Sequence, residues 1–318
     1  MTKGYTAIPK LIRDYLKGSY WWNKQTEEGL HKSIEYFQQA IASDPNYALA
    51  YAGLADSYGS LGGYGMVSPK EAYPKAKEAA LKALAIDETL AEAHTALAWV
   101  TTFYDGDFSG GESEFHRAIQ MNPSYALAHR RYGLALAYVG RLGEGLSEEK
   151  HAVELDPLSV GANWSLGYQF YIARQYHEAI QQEQKTLELD PDFVQAHHTL
   201  RLAYVKQSAY KEASAEFEKT LLIYPDYAHS LSALGYAYGA ADRPAEAQKS
   251  LAKLSGLSKH RFIPAVDTAL IYVDLGEKDK AFEWLEKAFE ERWTIVIAVD
   301  PAFDPCARTR ASKTCSGG

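Results

Sequence analysis

The sequence predicts an all-α fold: a solenoid of about eight antiparallel helix pairs. An Asp/Asn-Pro-x-aromatic motif recurs along the 318 residues, with one degenerate copy at Asp87. Copies start at residues 44, 87, 122, 156, 190 and 224, so successive starts lie 43, 35, 34, 34 and 34 residues apart. Three consecutive intervals of 34 indicate a structural repeat, because each unit of a repeat fold stacks on the next in the same way.

Each period contains two amphipathic helices. In the period that begins at Asp156, apolar and small residues are spaced by three and four, which places them on one helical face: Leu166, Gly167, Phe170, Ala179, Ile180 and Leu187. The motif proline is expected to stop the preceding helix and to lie in the first turn of the next, where its missing N–H costs nothing.

Small residues recur at matching places in the first helices of the pairs, at Ala98, Gly133, Gly167 and Gly235. Without a large side chain, two helix backbones can approach closely. A larger residue at Gly235 is expected to overpack this contact at a cost of roughly 1–3 kcal/mol.

The organisation follows from these repeats. Residues 1–13 form a lead-in, residues 14–292 the array, residues 293–305 a terminal motif, and residues 306–318 an irregular tail. The first interval has nine extra residues, which predict an enlarged loop or helix extension over 59–69. Ser68 and Glu71 are spaced for a capping box on the helix that follows.

The repeats resemble the tetratricopeptide pattern W-x2-L-G-x2-Y, A-x3-F, P. One copy reads Leu234, Gly235 and Tyr238, followed by Ala247 and Leu251. The resemblance implies a right-handed superhelix whose concave groove is lined by the first helix of each pair. Arg201 departs from the pattern, since a charge replaces the small residue, and a local adjustment or salt link is expected there.

Both ends of the chain resemble a narrower group of bacterial signalling proteins. In these, a winged-helix DNA-binding domain, a Ser/Thr kinase or an adenylate cyclase precedes tetratricopeptide repeats. The start, YLKGSYWWNKQTEEGLHKSIEYFQQAI, and the end, AVDTALIYVDLGEKDKAFEWLEKAFEERW with VDPAFDP, carry the similarity. No effector domain precedes Tyr15, so the chain is expected to correspond to the sensory or interaction half of such a regulator.

The tail departs from this group, whose members continue with a short closing helix of the type LRSDPRFQDLLR. This chain instead reads CARTRASKTCSG from Cys306. A gene segment that encodes the closing helix with suitable codons gives this sequence when it is translated one nucleotide out of frame. Our hypothesis is that the tail is a frameshifted closing helix and that Cys306 and Cys315 have no structural or reactive role.

Composition excludes several classes of function. The net charge of −8 is unfavourable for nucleic-acid phosphates, no apolar run approaches a membrane span, and the N-terminus lacks a secretory signal. A cytoplasmic location is therefore expected. The sequence contains no P-loop, G-x-S-x-G, H-E-x-x-H or C-x-x-C motif, so we expect neither an enzyme nor a cofactor or metal site.

The histidines are the strongest candidates for a metal site. His94, His129 and His197 occupy one repeat position, with Asn163 in the intervening repeat. Equivalent positions in successive repeats lie about 10 Å apart, too far to share a metal ion. They are expected to be partly buried contacts between repeats.

The family pattern maps the groove onto eleven residues, mainly aromatic and edged by cations: Trp99, Phe103, Arg130, Leu134, Tyr138, Trp164, Tyr168, Tyr171, His198, Lys206 and Tyr236. Rigid aromatic rings and arginines are favoured at protein interfaces. Two interpretations stay open: these residues line a docking groove, or they pack neighbouring repeats together.

The primary hypothesis is a non-catalytic scaffold or sensory module that binds a peptide or extended protein segment in this groove. The alternative is a small-ligand sensor module of a bacterial signalling or transcriptional regulator. A thermal-shift screen with metabolites and peptides would separate the two, because a ligand stabilises only the protein that binds it.

Overall fold

The computed structural model of the chain describes residues 4–223, 228–240, 242–292 and 299–304, without the side chains of 4–9, 214, 218, 220–223 and 240. All regular structure in these ranges is helical, which confirms the predicted fold class and its eight helix pairs. The helices are α1 Gly4–Asn23, α2 Glu27–Ser43, α3 Ala48–Gly63, α4 Pro69–Ile86, α5 Ala91–Val100, α6 Phe108–Met121, α7 Ala126–Tyr138, α8 Leu142–Leu155, α9 Val160–Ile172, α10 Tyr176–Leu189, α11 Val194–Lys206, α12 Tyr210–Ile223, α13 Ala228–Ala240, α14 Pro244–Leu257, α15 Ala265–Asp274 and α16 Lys278–Glu290. A π-helical turn, Thr101–Asp105, extends α5, and a 3₁₀ turn is formed by Pro301–Phe303.

The chain divides into two compact units, Met1–Ala135 and Leu136–Gly318, with the boundary inside α7. In unit 1, α1 packs on α2, α3 on α4 and α5 on α6, while α3 also contacts α1 and α5. In unit 2, α9 pairs with α10, α11 with α12, α13 with α14 and α15 with α16. Contacts of α11 with α9 and α13, and of α13 with α15, join these four odd-numbered helices into one layer, the odd-helix layer.

The connections between pairs differ from the prediction in one respect. Pro123, Pro157 and Pro191 lie in turns, three residues before the helices that begin at Ala126, Val160 and Val194, so their placement in a first helical turn was wrong. The preceding Asp or Asn explains the turn. Its side-chain oxygen accepts the N–H two residues on, as for Asp44 and Asn46 at 2.9 Å, and proline's fixed φ suits the position between them.

The turn inside each pair also repeats. One residue in the left-handed region recurs every 34 positions, with φ of 76°, 84°, 61°, 59°, 55° and 70° at Gly106, Gly140, Arg174, Ser208, Asp242 and Gly276. Three of the six are not glycine, although glycine adopts this conformation without steric cost. The chain direction between the two helices of a pair is therefore set by a backbone conformation rather than by one residue type.

The nine-residue excess of the first long repeat lengthens both helices of the pair, and residues 64–68 connect them. Ser68 is the N-cap residue of α4, but its side chain makes no capping hydrogen bond, so the predicted capping box was wrong. The Glu71 carboxylate instead pairs with Lys75 at 3.0 Å, one turn further along the helix.

At the chain ends, α1 begins at Gly4, inside the segment predicted as a lead-in. Of the terminal motif, only residues 299–304 are described. The hypothesis of a frameshifted tail, with Cys306 and Cys315, lies outside the described residues.

The overpacking predicted for a larger residue at Gly235 is confirmed, and Gly167 is equally close to a neighbouring side chain. A Cβ built at Gly235 would lie 2.6 Å from Cδ1 of Ile271, and one at Gly167 would lie 2.6 Å from Oε1 of Glu183. Arg201 is accommodated by burial: its guanidinium lies 4.8 Å from the ring centroid of Phe217 and its Nη2 lies 2.6 Å from Nδ1 of His198.

The repeated histidines are buried contacts, as expected. His94, His129 and His197 each hydrogen-bond through Nε2 to the carbonyl six residues earlier, at 2.9, 3.0 and 2.9 Å. Asn163 donates to the equivalent carbonyl, that of Pro157, at 3.0 Å. Each of these side chains therefore hydrogen-bonds the first turns of its helix to the turn that precedes the helix. Within the described ranges, no three His, Cys, Asp or Glu side chains are grouped to hold a metal ion.

Candidate functional site

The two units divide the eleven predicted groove residues. Trp99, Phe103, Arg130 and Leu134 belong to unit 1, and Tyr138, Trp164, Tyr168, Tyr171, His198, Lys206 and Tyr236 belong to unit 2. Each group is therefore a separate candidate surface.

In unit 1, the rings of Trp99 and Phe103 have centroids 4.0 Å apart, and both side chains are partly buried. The guanidinium of Arg131 lies 5.4 Å from the Trp99 ring and donates to Asp56 Oδ1 at 2.5 Å. Burial raises the pKa of Asp56, and Arg131 opposes that shift. The sequence pattern selected Arg130, whereas this buried ion pair is formed by its neighbour.

Arg130 and Leu134 are themselves buried, with 9% and 4% of their surface exposed. Both side chains pack within the unit. The candidate surface of unit 1 is therefore the partly exposed pair Trp99 and Phe103, next to Arg131, whose charge is paired with the buried Asp56.

In unit 2, three aromatic side chains of α9 stack in a row, the aromatic ladder of Trp164, Tyr168 and Tyr171. Spacings of four and three residues place them on one face of the helix. The Trp164 and Tyr168 centroids lie 5.9 Å apart at 15°, and those of Tyr168 and Tyr171 lie 6.1 Å apart at 23°. Trp164 Nε1 donates to Thr199 Oγ1 on α11 at 3.2 Å, which orients the indole.

Tyr138 extends the ladder at the end of α7. Its side chain hydrogen-bonds to Tyr168, and burial raises the pKa of the Tyr168 hydroxyl well above its usual value. The Tyr168 phenol therefore stays neutral at physiological pH. Tyr138, Trp164 and Tyr168 are all partly exposed, so they form the accessible part of the surface.

The remaining part of the surface is covered by the chain's own C-terminal residues 299–304, the terminal segment. Tyr171 donates its hydroxyl to Asp300 Oδ1 at 2.8 Å, and Arg174 Nη2 donates to Asp304 Oδ1 at 2.7 Å. Between the two acids, Pro301, Ala302 and Phe303 are buried, with Phe303 5% exposed. Ala302 and Phe303 belong to one apolar cluster with Tyr171 and Tyr236.

Lys206 and Asp274 place opposite charges near this segment. Lys206 Nζ lies 5.6 Å from the Tyr236 ring centroid. Burial lowers the pKa of Lys206, while the charges of Asp274, Asp300 and Asp304 oppose the shift. Burial raises the pKa of Asp274 to about 7, and Lys206 opposes this. Burial also raises the pKa of Asp300, against the hydrogen bonds from Ala302 and Tyr171.

His198 faces a different neighbourhood. Its ring centroid lies 5.9 Å from that of His229, which pairs with Asp267 at 2.6 Å. Burial, and then the charges of Arg201 and His229, lower the pKa of His198 well below its usual value. His198 is therefore a neutral member of a polar cluster with Arg201.

Sequence reasoning thus found the ladder but missed what covers it. Tyr171 and Tyr236 are 0% and 2% exposed, because they are packed in the interior together with the terminal segment. It also missed Arg174 and Asp274. One signal was present in the sequence. The terminal segment carries two acids four residues apart, Arg174 follows the ladder just after α9, and Lys206 is the last residue of α11.

A tetratricopeptide-repeat family model matches residues 269–292, the last helix pair. The transcriptional regulator HilA of Salmonella typhimurium is 29% identical over 130 residues, covering 41% of this chain and 23% of HilA. HilA of Salmonella typhi matches with the same identity and coverage. The chain thus spans less than a quarter of the length of these curated relatives.

Among solved structures, the human IFIT1 dimer with m7Gppp-AAAA is similar with a TM-score of 0.62 and 18% identity, covering 83% of this chain and 68% of that one. The human IFIT1 dimer with PPP-AAAA gives 0.59 and 18%, covering 82% and 68%. At this identity the likeness concerns the fold alone. The helix pairs and this likeness give the chain the fold of a tetratricopeptide-type helical-repeat solenoid.

Helices long and apolar enough to cross a membrane are absent from the part of the chain that the structure describes.

Proposed function

We propose that the protein is a non-catalytic interaction scaffold or sensory module, and that unit 2 binds an extended segment of a partner protein along the aromatic ladder. The position of the terminal segment is the observation that supports this most strongly. A short stretch of chain already lies against Tyr171 and Arg174 through one hydroxyl and one guanidinium contact. A surface that receives this segment has the hydrogen-bond donors and apolar area that a peptide ligand needs.

The ladder suits this role physically. Trp164 and Tyr168 are held in stacked positions by their helix and by Thr199, so binding orders few further torsions. Large rigid rings bury apolar area at a low entropic cost. A peptide is favoured over the alternative of a small-ligand sensor, because the covered part of the surface holds main chain and side chains of a peptide.

The similarity to HilA, a transcriptional regulator, supports a place in bacterial signalling or transcription. In this proposal the repeats contact protein partners of a cytoplasmic regulatory system. With a net charge of −8, the chain does not contact nucleic acid directly.

A peptide array probed with the full chain tests the proposal. Trp164→Ala removes the partly exposed end of the ladder and is expected to lose at least about tenfold in binding to a set of peptides, equivalent to ~1.4 kcal/mol. Trp21→Ala, the same change on α1 in unit 1, is the matched control and should keep the set. Circular dichroism and thermal melting establish that both variants are folded.

Trp164→Phe keeps an aromatic ring in the ladder and should retain most of the peptides. If folded Trp164→Ala binds the same peptides as the wild type, the ladder is not the docking surface. If metabolites raise the melting temperature of the wild type while the array stays empty, the small-ligand alternative is correct.

A further inference from the structure

The terminal segment has the chemistry of a ligand rather than of a helix pair. It lies beyond Glu290, the last residue of α16, and six residues separate it in sequence from Arg292. Its sequence, Val-Asp-Pro-Ala-Phe-Asp, places an aromatic residue between two acids. The acids meet donors from α9 and the turn after it, while the aromatic ring enters the apolar cluster of the odd-helix layer.

We propose that the terminal segment is an internal ligand of the ladder, and that a protein partner reaches this surface by replacing it with an acidic-aromatic segment of the Asp-Pro-x-Phe-Asp type. This inference rests on the proposed function, whose surface and ligand class it makes specific. The partly exposed end of the ladder, Trp164 and Tyr168, gives the incoming segment its first contact. The partner then takes over the contacts to Tyr171 and Arg174.

Charge determines the acidic character of the partner. Arg174 and Lys206 are the cations that act on Asp300 and Asp304, and Lys206 also acts on Asp274. A neutral or basic segment at the position of Asp304 would leave Arg174 without its 2.7 Å partner. The Tyr171 hydroxyl donates to Asp300, so a carboxylate or another acceptor is needed there as well.

The apolar cluster determines the aromatic character. Phe303 is 5% exposed and packs in a cluster that includes Leu202, Val205, Tyr236 and Val273. Burial of a phenyl side chain removes a large apolar area from water, which favours binding. An incoming segment without an aromatic residue at this position would therefore bind far less well than the internal one.

The segment's attachment is weak enough to be replaced. Arg174 and Asp304 have side chains 50% and 37% exposed, so solvent screens their pairing. Burial of the Asp300 carboxyl opposes docking. The segment competes from the same chain at an effective concentration on the order of mM. A partner must therefore present a better copy or a second contact, and the partly exposed Trp164 and Tyr168 provide that second contact.

The experiment uses the full chain and a fluorescein-labelled peptide Val-Asp-Pro-Ala-Phe-Asp, with fluorescence anisotropy as the readout. Phe303→Ala releases the internal segment and is expected to raise the apparent affinity for the peptide by about tenfold or more, because the fraction of open sites limits binding. Phe289→Ala, at a phenylalanine that is 67% exposed on α16, is the matched control and should behave as the wild type.

A charge reversal identifies the register of the bound peptide. In the Phe303→Ala background, Arg174→Glu should weaken binding of this peptide several-fold. A peptide ending in Lys, Val-Asp-Pro-Ala-Phe-Lys, should recover part of that loss. Asp304→Ala removes the contact to Arg174 but keeps the buried phenyl ring, so it should release the terminal segment less completely than Phe303→Ala. It should raise the affinity for the peptide in the same way, and this second release variant controls for a folding defect caused by Phe303→Ala.

The proposal is overturned if both release variants are folded and bind the peptide no more tightly than the wild type. It is also overturned if the peptide binds no variant although array peptides are still lost by Trp164→Ala, and the proposed function would then stand. An array on which Trp164→Ala changes nothing would instead remove the proposed function, and this inference with it. A wild-type dimer that Phe303→Ala dissociates would identify a second copy as the occupant, against a separate partner.

Discussion

At the residue scale, α8 and α10 carry buried acids at the position where the repeat pattern has an aromatic side chain. Phe115, Glu149, Glu183 and Phe217 follow one another at steps of 34, and all four are fully buried. Glu149 accepts a hydrogen bond from Ser165 Oγ at 2.7 Å. Burial raises the pKa of Glu183 well above its usual value, and the hydroxyls of Thr199 and Thr186 oppose this only in part.

The raised pKa of Glu183 makes the stability of the folded chain depend on pH. Glu183 binds its proton more tightly in the folded chain than in the unfolded one. Its stabilisation is complete below the unfolded pKa of about 4.3 and is lost as the pH rises through the raised folded pKa. Glu183→Gln, which carries no titrating proton, should lose less stability between pH 5 and pH 8 than the wild type, by about 1–3 kcal/mol.

Urea unfolding at both pH values, followed by circular dichroism, measures the effect. Glu188→Gln on the same helix changes an exposed side chain and should leave the wild-type pH dependence unaltered. An equal loss of stability in the wild type and Glu183→Gln would show that Glu183 titrates normally in the folded state.

At the element scale, a left-handed residue at 34-residue steps closes every helix pair from α5 and α6 onward. Gly106, Gly140 and Gly276 make this position visible in the sequence, since their spacings are multiples of 34. Arg174, Ser208 and Asp242 could not be found in that way, because packing of the two helices imposes the conformation on them. The helices could be predicted from the local spacing of apolar residues. The positions of the turn prolines could not, because the turn is set by the side chain of the preceding Asp or Asn and not by the start of the next helix.

Gly140 and Gly143 test the turn with one substitution. A Cβ at either site meets no atom within 4 Å, so only backbone conformation distinguishes them. Gly140 has φ of 84°, and Gly140→Ala should destabilise the protein by roughly 1–2 kcal/mol. Gly143 lies within α8, and Gly143→Ala should stabilise it by ~0.5–1 kcal/mol. Melting curves of the two variants would contradict the account if they shifted in the same direction.

At the scale of the whole molecule, the fold could be predicted from the sequence. The packing of the terminal segment on the aromatic ladder could not. A repeat fold produces a regular spacing of residues along the chain. The fold class, the number of helix pairs and the aromatic residues on one face of α9 could therefore be predicted from that spacing. The contact between Tyr171 and Asp300 joins residues 129 positions apart, and periodicity carries no information about a segment outside the repeats. The two units also separate residues that the family pattern assigns to one groove.

The central claim is that residues 299–304 lie on the odd-helix layer of unit 2. Benzoylphenylalanine placed at Val299, a partly buried position, would test it by photo-crosslinking and mass spectrometry of the monomer. We expect cross-links within the chain to α9, α11, α13 or α15. Cross-links confined to the even-numbered helices would contradict the claim.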